Sequence, residues 1–564
     1  MLLHFLLFGL AASLPTIVLD FISSPPAPAT LLAAQTCAGL LNRAPAGPAV
    51  YTLLHAEDAG WLRVAEPSLP SPPPVSSLTT LFAACLAPAG PAAGRLIRYN
   101  FTLQQRLVPN LLTLAALLDA VPLEDGSPFA PPGATLAFDA LAGWAGFSSL
   151  NATRFMFDHP LFNATSSAAK MNPGLDVHGH PLDPNPPLTL QPDLSLADFI
   201  VSSRLFNFFL SNGCIPGTEE RALLDEIAGA NPWPRPIAVW GYDDSWPVAG
   251  DVFEAETTCG AAHNMGQIAT VGVNNLAYFS RQPPIAAPLP QPSPPPFAYN
   301  ASKVYVSLII GDGDNIQMVK SSRAQWLANR SAACAGRACY PLLWTLSPHL
   351  LTAAPALLRW YYATAAATGR DWFVLPPSGH LYAYPGSMRP EDQARFVEAT
   401  ERDAVLMSTP ATVEWEFLGT WGATIASYVP RYGARGVVRA LFAVNVPYLL
   451  PIVEFAPGEL CKVLGNGTVA LFAPNEWRGT SGSAEPLLHP FLLSPAEMAA
   501  KLGAFPRGSA AAVYVTSDGG ASIADVDAMV ALLGAHVEVV EAGTLTEAAL
   551  RYAARGAGGG GAAQ

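Results

Sequence analysis

Short apolar runs rich in Val, Ile and aromatic residues alternate along this chain with longer stretches of helical period. In the first half, Thr16 to Phe21, Ala49 to Leu54, Ala134 to Phe138 and Pro236 to Tyr242 read as strands. Ala29 to Leu41, Asn110 to Leu118 and the strongly apolar Leu196 to Leu210 read as helices. Thr218 caps another, with Glu219 and Glu220 in its first turn, where carboxylates favour the helix dipole. In the second half the alternation sharpens. Val304 to Ile310, Tyr340 to Leu346, Asp371 to Leu375, Ala404 to Ser408, Val437 to Val444, Thr468 to Phe472, Ala512 to Thr516 and Val537 to Val540 read as strands. Helices are expected over Leu351 to Ala367 and around Pro390 to Glu401. Ser494-Pro495-Ala496-Glu497 is a capping box with Pro at the first helical position, and Ser522 to Asp525 starts a further helix that Gly534 stops.

This order predicts an α/β protein: an N-terminal α/β region followed by a C-terminal unit with the size and order of a (β/α) barrel. An open doubly wound sheet is the other arrangement that fits. The proline-dense, nearly uncharged segment 282–299 marks the boundary, as a semi-rigid linker or a surface strap. The expected organisation is a leader over residues 1–13, an N-terminal region 14–281, the linker 282–299, a barrel-like domain 300–555 and a Gly/Ala-rich tail 556–564.

Composition narrows the classes. The 564 residues are 51% hydrophobic and 13% charged, which describes a folded chain long enough for several cores. A net charge of −13 without clustered Lys and Arg excludes nucleic acid as a partner. Met1 to Ala12 is apolar and ends in small residues, as a secretory leader does, and no later stretch is expected to span a membrane. Sequons at Asn100, Asn151, Asn163, Asn300, Asn329 and Asn466 point to N-glycans and a secreted or extracellular protein, or one of the endomembrane lumen. The seven cysteines form no C-x-x-C pair, and Cys334 with Cys339 is the expected local disulfide.

In either architecture the residues just past the C-terminal ends of strands line the site. Gly311-Asp312-Gly313-Asp314-Asn315 follows the first strand of the C-terminal unit. Its carboxylates suit a catalytic acid or a sugar-hydroxyl clamp, although Asp and Asn in a Gly-rich turn also cap helices. Trp344 to His349 follows the second strand, and His349 is a candidate donor to substrate. Glu414 and Glu416 flank Trp415 and read equally well as exposed edge charges. Asn475-Glu476-Trp477-Arg478 combines a carboxyl, an aromatic surface and a planar cation that can chelate vicinal hydroxyls. Pro376 to Pro385 carries Ser378, His380, Tyr382 and Tyr384, an aromatic platform on which the C–H faces of sugars stack.

This last stretch resembles the signature of the GxGYxYP family of putative glycoside hydrolases. It matches at Gly379, Tyr382, Tyr384 and Pro385 and departs at Leu381, where the signature has its second glycine. Asp312-Gly313-Asp314-Asn315 resembles the family's DGDN strand end. Leu40-Leu41-Asn42-Arg43 resembles the end of the family's early helix, Trp240-Gly241-Tyr242 the strand end before its variable N-terminal loop, with Asn274-Asn275 further on, and Leu346-Ser347-Pro348 the strand end after DGDN. The resemblance implies a sugar-processing enzyme.

The expected function is hydrolysis of a polysaccharide or glycan, which normally needs two carboxyl groups flanking the scissile bond. Asp312, Asp314 and Glu476 are the candidate catalytic residues. Asn315, Ser378, His380, Tyr382, Tyr384, Trp477, Arg478 and His349 are the candidate substrate contacts. No cofactor is expected. Metal-dependent carbohydrate deacetylation, with Asp312, Asp314 and His349 as ligands, and non-catalytic carbohydrate binding are the alternatives. No G-x-S-x-G elbow, H-E-x-x-H helix or phosphate-binding loop is present.

Overall fold

The computed structural model describes residues 16–44, 47–175, 188–230, 232–241, 255–334, 339–417, 419–446, 452–479, 492–516 and 521–559. The expected leader, Tyr242 and the last residues of the tail lie outside them.

The N-terminal region holds three parallel sheets. Strands β1 (Ile17–Asp20) and β2 (Val50–Leu53) form the first. The second has β3 (Arg95–Tyr99) between β4 (Val121–Glu124) and β5 (Thr135–Asp139). The third contains β6 (Ala168–Lys170), β7 (Phe206–Phe208), β8 (Ile237–Trp240) and β9 (Met265–Ile268), in the spatial order β7-β6-β8-β9. The expected helix over Leu196 to Leu210 is instead a short helix, Ala197–Ser202, and strand β7. Arg204 breaks it with a left-handed backbone, φ 52°, which a helix does not continue through.

The C-terminal unit starts with β10 (Val304–Ile310), buried along its whole length, as a parallel strand covered on both faces must be. It continues with β11 (Leu342–Thr345), β12 (Asp371–Val374), β13 (Ala411–Phe417), β14 (Ala440–Val446), β15 (Cys461–Leu464), β16 (Val469–Phe472), β17 (Glu476–Trp477), β18 (Ala510–Val515) and β19 (Val537–Val539). The expected strand at Ala404 to Ser408 is the end of the helix Pro390–Leu406, and the strand begins after it, at Ala411. Both expected capping boxes are present, Ser494 with Glu497 and Ser522 with Asp525.

These strands form two ladders, β12-β11-β10-β18-β17 and β13-β14-β16-β15, with β19 also beside β10. One parallel bridge, Leu375 to Thr412, joins them. The fold is mixed α/β, with mostly parallel ladders and one antiparallel pair, β15 with β16, and among the described residues no ladder closes the circuit. An apolar cluster that includes Tyr305, Ile309, Trp372, Val413, Phe442, Phe472 and Tyr514 lies on the inner face of both ladders. The helix Ala542–Gly559 packs across strands of both.

The proline-rich segment runs along the C-terminal unit as a strap. Ile285 N–H donates to Leu351 O, and Leu289 N–H to Leu406 O. Gln291 bonds main-chain groups of Phe373, Met407 and Ser408. The principal apolar core is continuous through both regions. Disulfides join Cys37 to Cys85, Cys214 to Cys259 and, as expected, Cys334 to Cys339, which leaves Cys461 as a free thiol.

Candidate active site

The end of β10 is fixed from several directions. Asp312 has a left-handed backbone, φ 61°, and its main-chain N–H donates to the hydroxyl of Tyr514 on β18 at 3.2 Å. Gly313 N–H donates to Thr345 Oγ1 at 2.8 Å. A Cβ on Gly313 would lie 1.8 Å from the Thr345 carbonyl oxygen, so this approach of β10 to β11 requires glycine. Asn315 uses its side-chain oxygen to cap the turn Ile316–Met318, the helix-cap role that its residue type also allowed.

A π-helical turn at Val319–Arg323 follows and directs two cations inward. Arg323 is 3% exposed, donates to Asp312 Oδ2 at 2.7 Å and holds Gly311 O with Nε. Lys320, 1% exposed, reaches Asp58 Oδ1 of the N-terminal region at 2.7 Å. Trp61 Nε1 donates to Lys320 O, and Asn274 binds Thr52 O and Asp58. The N-terminal motif residues are therefore fasteners: Asn42 clasps the main chain of Val50, and Asn275 that of Thr52.

The tyrosine loop is held just as firmly. Tyr382 and Gln267 of β9 exchange both main-chain hydrogen bonds at 2.9 Å, an antiparallel bridge between the two regions. Ser378 is fully buried, and its hydroxyl donates to Ala383 O at 2.8 Å and accepts from Trp415 N–H at 3.0 Å. It secures the loop to β13, and its hydroxyl is already engaged there. Tyr382 and Tyr384 are 6% and 0% exposed, so they are walls of the interior and not an open stacking platform. The rings of Tyr382 and Trp415 meet edge to face at 5.4 Å, and those of Trp415 and Tyr514 at 6.3 Å. This aromatic row links the tyrosine loop to the end of β10.

Glu476 joins the same face. It registers with Tyr514 in the β17–β18 ladder, whereas Trp477 registers with Val515 on the opposite face. Trp477 is fully buried and donates Nε1–H to Leu493 O, which removes it from any sugar surface on the inner face. Arg478 follows the end of β17, and its charge acts on Glu476. Burial raises the Glu476 carboxyl to about 8, and the charges of Arg478 and Lys501 oppose the shift. Its Oε2 is buried without a hydrogen-bond partner. The hydroxyl of Tyr514 is raised well above its ordinary value, first by burial and then by the charges of Asp312 and Asp314. Asp312 and Asp314 thus act on Tyr514, Glu476 shares its register and Tyr382 meets Trp415, while Tyr384 packs on Tyr382 and Phe417. Tyr514 and Trp415 are two residues that sequence reasoning did not single out as a site. The alternation of β18 against its neighbours was the signal that could have found Tyr514.

The remaining candidates lie off this face. His349 Nε2–H donates to His380 O, 2.8 Å away, and burial with the nearby His380 charge lowers His349 to about 4. His380 Nδ1 pairs with Asp403 Oδ2 at 2.6 Å. Glu414 and Glu416 alternate with the inward Trp415 and are both buried, not exposed edge charges. Burial, then the charge of Glu416, raises Glu414 well above its ordinary value. Glu416, raised to about 7 by burial, binds Thr420, Thr424 and the N–H of Gly386 at the loop exit. Among the described residues no three His, Cys, Asp or Glu side chains gather in a way that could hold a metal.

An α/β protein with carboxyl groups and aromatic walls at its strand ends is the class that fold and site define. Residues 302–419 match the model of the GxGYxYP putative glycoside hydrolase C-terminal domain. That segment holds Asp312 to Asn315 and the tyrosine loop, and it ends before Glu476. The chain is also similar to a solved structure described as a putative hydrolase from Bacteroides thetaiotaomicron. The two share 16% identity with a TM-score of 0.70, over 95% of this chain and 94% of that one. No curated protein sequence matches the chain.

Proposed function

We propose that the protein hydrolyses a glycosidic bond of a polysaccharide or glycan at the strand ends of a barrel-like C-terminal unit. The observation that carries this reading is the placement of Glu476 on one face with Tyr514, whose hydroxyl meets the Asp312 main chain and whose titration feels Asp314. A carboxyl raised to about 8 stays protonated at neutral pH and can give its proton to the leaving glycosidic oxygen. The Asp314 carboxylate acts from the other side of the bond, as base toward water or as nucleophile. With Asp314 as base, water's hydroxyl bonds to the anomeric carbon as the leaving oxygen departs with the Glu476 proton, Asp314 takes water's other proton, and exchange with solvent resets both groups. With Asp314 as nucleophile, water breaks the glycosyl–Asp314 bond and gives its proton to Glu476. Asp312, held by Arg323, positions the loop that carries Asp314. Reducing-sugar release from a panel of polysaccharides tests the reading: wild-type protein should release ends from at least one, and Glu476→Gln should not.

We place the protein in the secretory pathway. Three disulfides support this, as do exposed sequon asparagines at 151, 163, 300, 329 and 466 with Asn100 half-buried. A mass decrease on endoglycosidase treatment of protein from a secretory host tests it.

A further inference from the structure

The third N-terminal sheet has a feature that the catalytic reading does not use. From β6 the chain moves to β7 on one side, then crosses back to put β8 on the other. Such a reversal opens a crevice beyond the C-terminal strand ends, where open α/β sheets bind ligands. A crevice with about 180 Å³ of free space lies there. Lys170 lines it from the end of β6, Met171 and Asn172 from just past it, Gly241 from just past β8, and Thr270 and Val271 from just past β9.

The walls are held in place by their own hydrogen bonds. Asn172 binds Gly174 and Leu175 main-chain groups, and Asp193 accepts from Ser195 and Gly272. Thr270 Oγ1 accepts from Gly241 N–H at 2.7 Å. Gly241 has φ 100°, and a Cβ there would lie 2.0 Å from Lys170 O, so the junction of β6 and β8 admits only glycine. Leu190 and Val271, 56% and 49% exposed, form an apolar rim above a lining that mixes a few polar groups with a larger apolar surface. Lys170 and Asp193 give the lining one charge of each sign. A neutral ligand with both hydroxyls and C–H faces matches that lining better than an anion does.

The crevice also adjoins the candidate active site. Ala269, next to Thr270, accepts the N–H of Ile316 at 3.0 Å, immediately after Asp314-Asn315. Gly272, next to Val271, lies against the side chain of Gln317. One wall is therefore shared with the segment that leaves β10.

We infer that this crevice is a carbohydrate subsite that seats a short neutral stretch of the glycan whose bond is cleaved at the strand ends. The inference rests on the glycosidase reading for the identity of the ligand, but its test reads binding and not turnover. The probes are cellohexaose, xylohexaose, mannohexaose, maltohexaose and chitohexaose, titrated calorimetrically into the full-length protein. At least one should bind. Val271→Trp and Leu190→Trp, both at exposed rim positions, should weaken that binding about tenfold or more, with unchanged melting temperatures. Leu532→Trp, exposed and remote in sequence from the crevice, should bind as wild type does. No binding by any probe, wild-type affinity in both rim variants, or binding only to hexagalacturonate, titrated beside them as an anionic control, would each overturn the inference. Loss of the glycosidase reading shows itself separately, as oligosaccharide binding that responds to the rim variants in a protein that cleaves none of them.

Discussion

The main-chain N–H of Asp312 donates to the hydroxyl of Tyr514 at 3.2 Å, tying the end of β10 to its neighbour β18 at the level of the candidate carboxyl groups. Tyr514→Phe keeps the ring packing on Trp415 and removes only the acceptor. The expected cost is about 1–3 kcal/mol of stability, the scale of a buried hydrogen bond broken from one side. Turnover should fall with little change in KM, because the loop carrying Asp314 loses a fixed point. Chemical denaturation and steady-state kinetics check both, and unchanged turnover would remove Tyr514 from the positioning role.

Lys320 and Asp58 join the two regions across a buried ion pair, 1% and 0% exposed. Lys320→Met leaves a buried carboxylate without its cation and should cost about 3–5 kcal/mol. Adding Asp58→Asn to that variant should recover part of the loss, since no uncompensated charge remains. A denaturant midpoint equal to that of wild type in the single variant would contradict this account of how the regions are joined.

Gln291 fixes the proline-rich strap to main-chain groups of Phe373, Met407 and Ser408. Gln291→Ala should lower stability by about 1–3 kcal/mol, because several of those groups are left without it. It should also open the strap to proteases that leave the wild-type segment intact. If the cleavage pattern does not change, the strap is held by its other contacts.

Glu476 is raised to about 8 from an ordinary 4.5, so between those values the folded chain holds a proton that the unfolded chain releases. Stability from this group is therefore present at low pH and is lost as pH rises through about 8. Glu476→Gln should flatten that part of the stability profile and leave the variant more stable than wild type in alkali, by an amount on the order of a few kcal/mol. Thermal melts across pH check the sign. A variant that loses more stability than wild type on the alkaline side would contradict it.

Local chemistry was legible in the sequence wherever it acts over a few residues. The capping boxes at Ser494 and Ser522, the Cys334–Cys339 bridge and the buried run of β10 all follow from spacing and residue type. The side to which a carboxyl points was not legible, because it depends on register with a distant strand. Glu476 faces inward through its pairing with Tyr514, whereas Glu414 and Glu416 alternate with an inward Trp415. Burial of Tyr382 and Tyr384 was equally hidden, since Tyr382 is covered through the bridge to Gln267 and the packing of Trp415, and Tyr384 packs on Tyr382 and Phe417. The break at Arg204 and the continuation of a helix through Ala404 were tertiary choices that apolar periodicity could not resolve.

The central claim is that Glu476 and Asp314 perform acid and base or nucleophilic work on a glycosidic bond. The most direct test compares turnover with binding on one identified glycan for wild type, Asp314→Asn and Glu476→Gln. Both variants should bind the glycan with near wild-type affinity and lose at least about 100-fold in turnover, the low end of the contribution of a positioned acid or base. Full turnover in either variant, with the same glycan bound as tightly, would contradict the assignment of that residue.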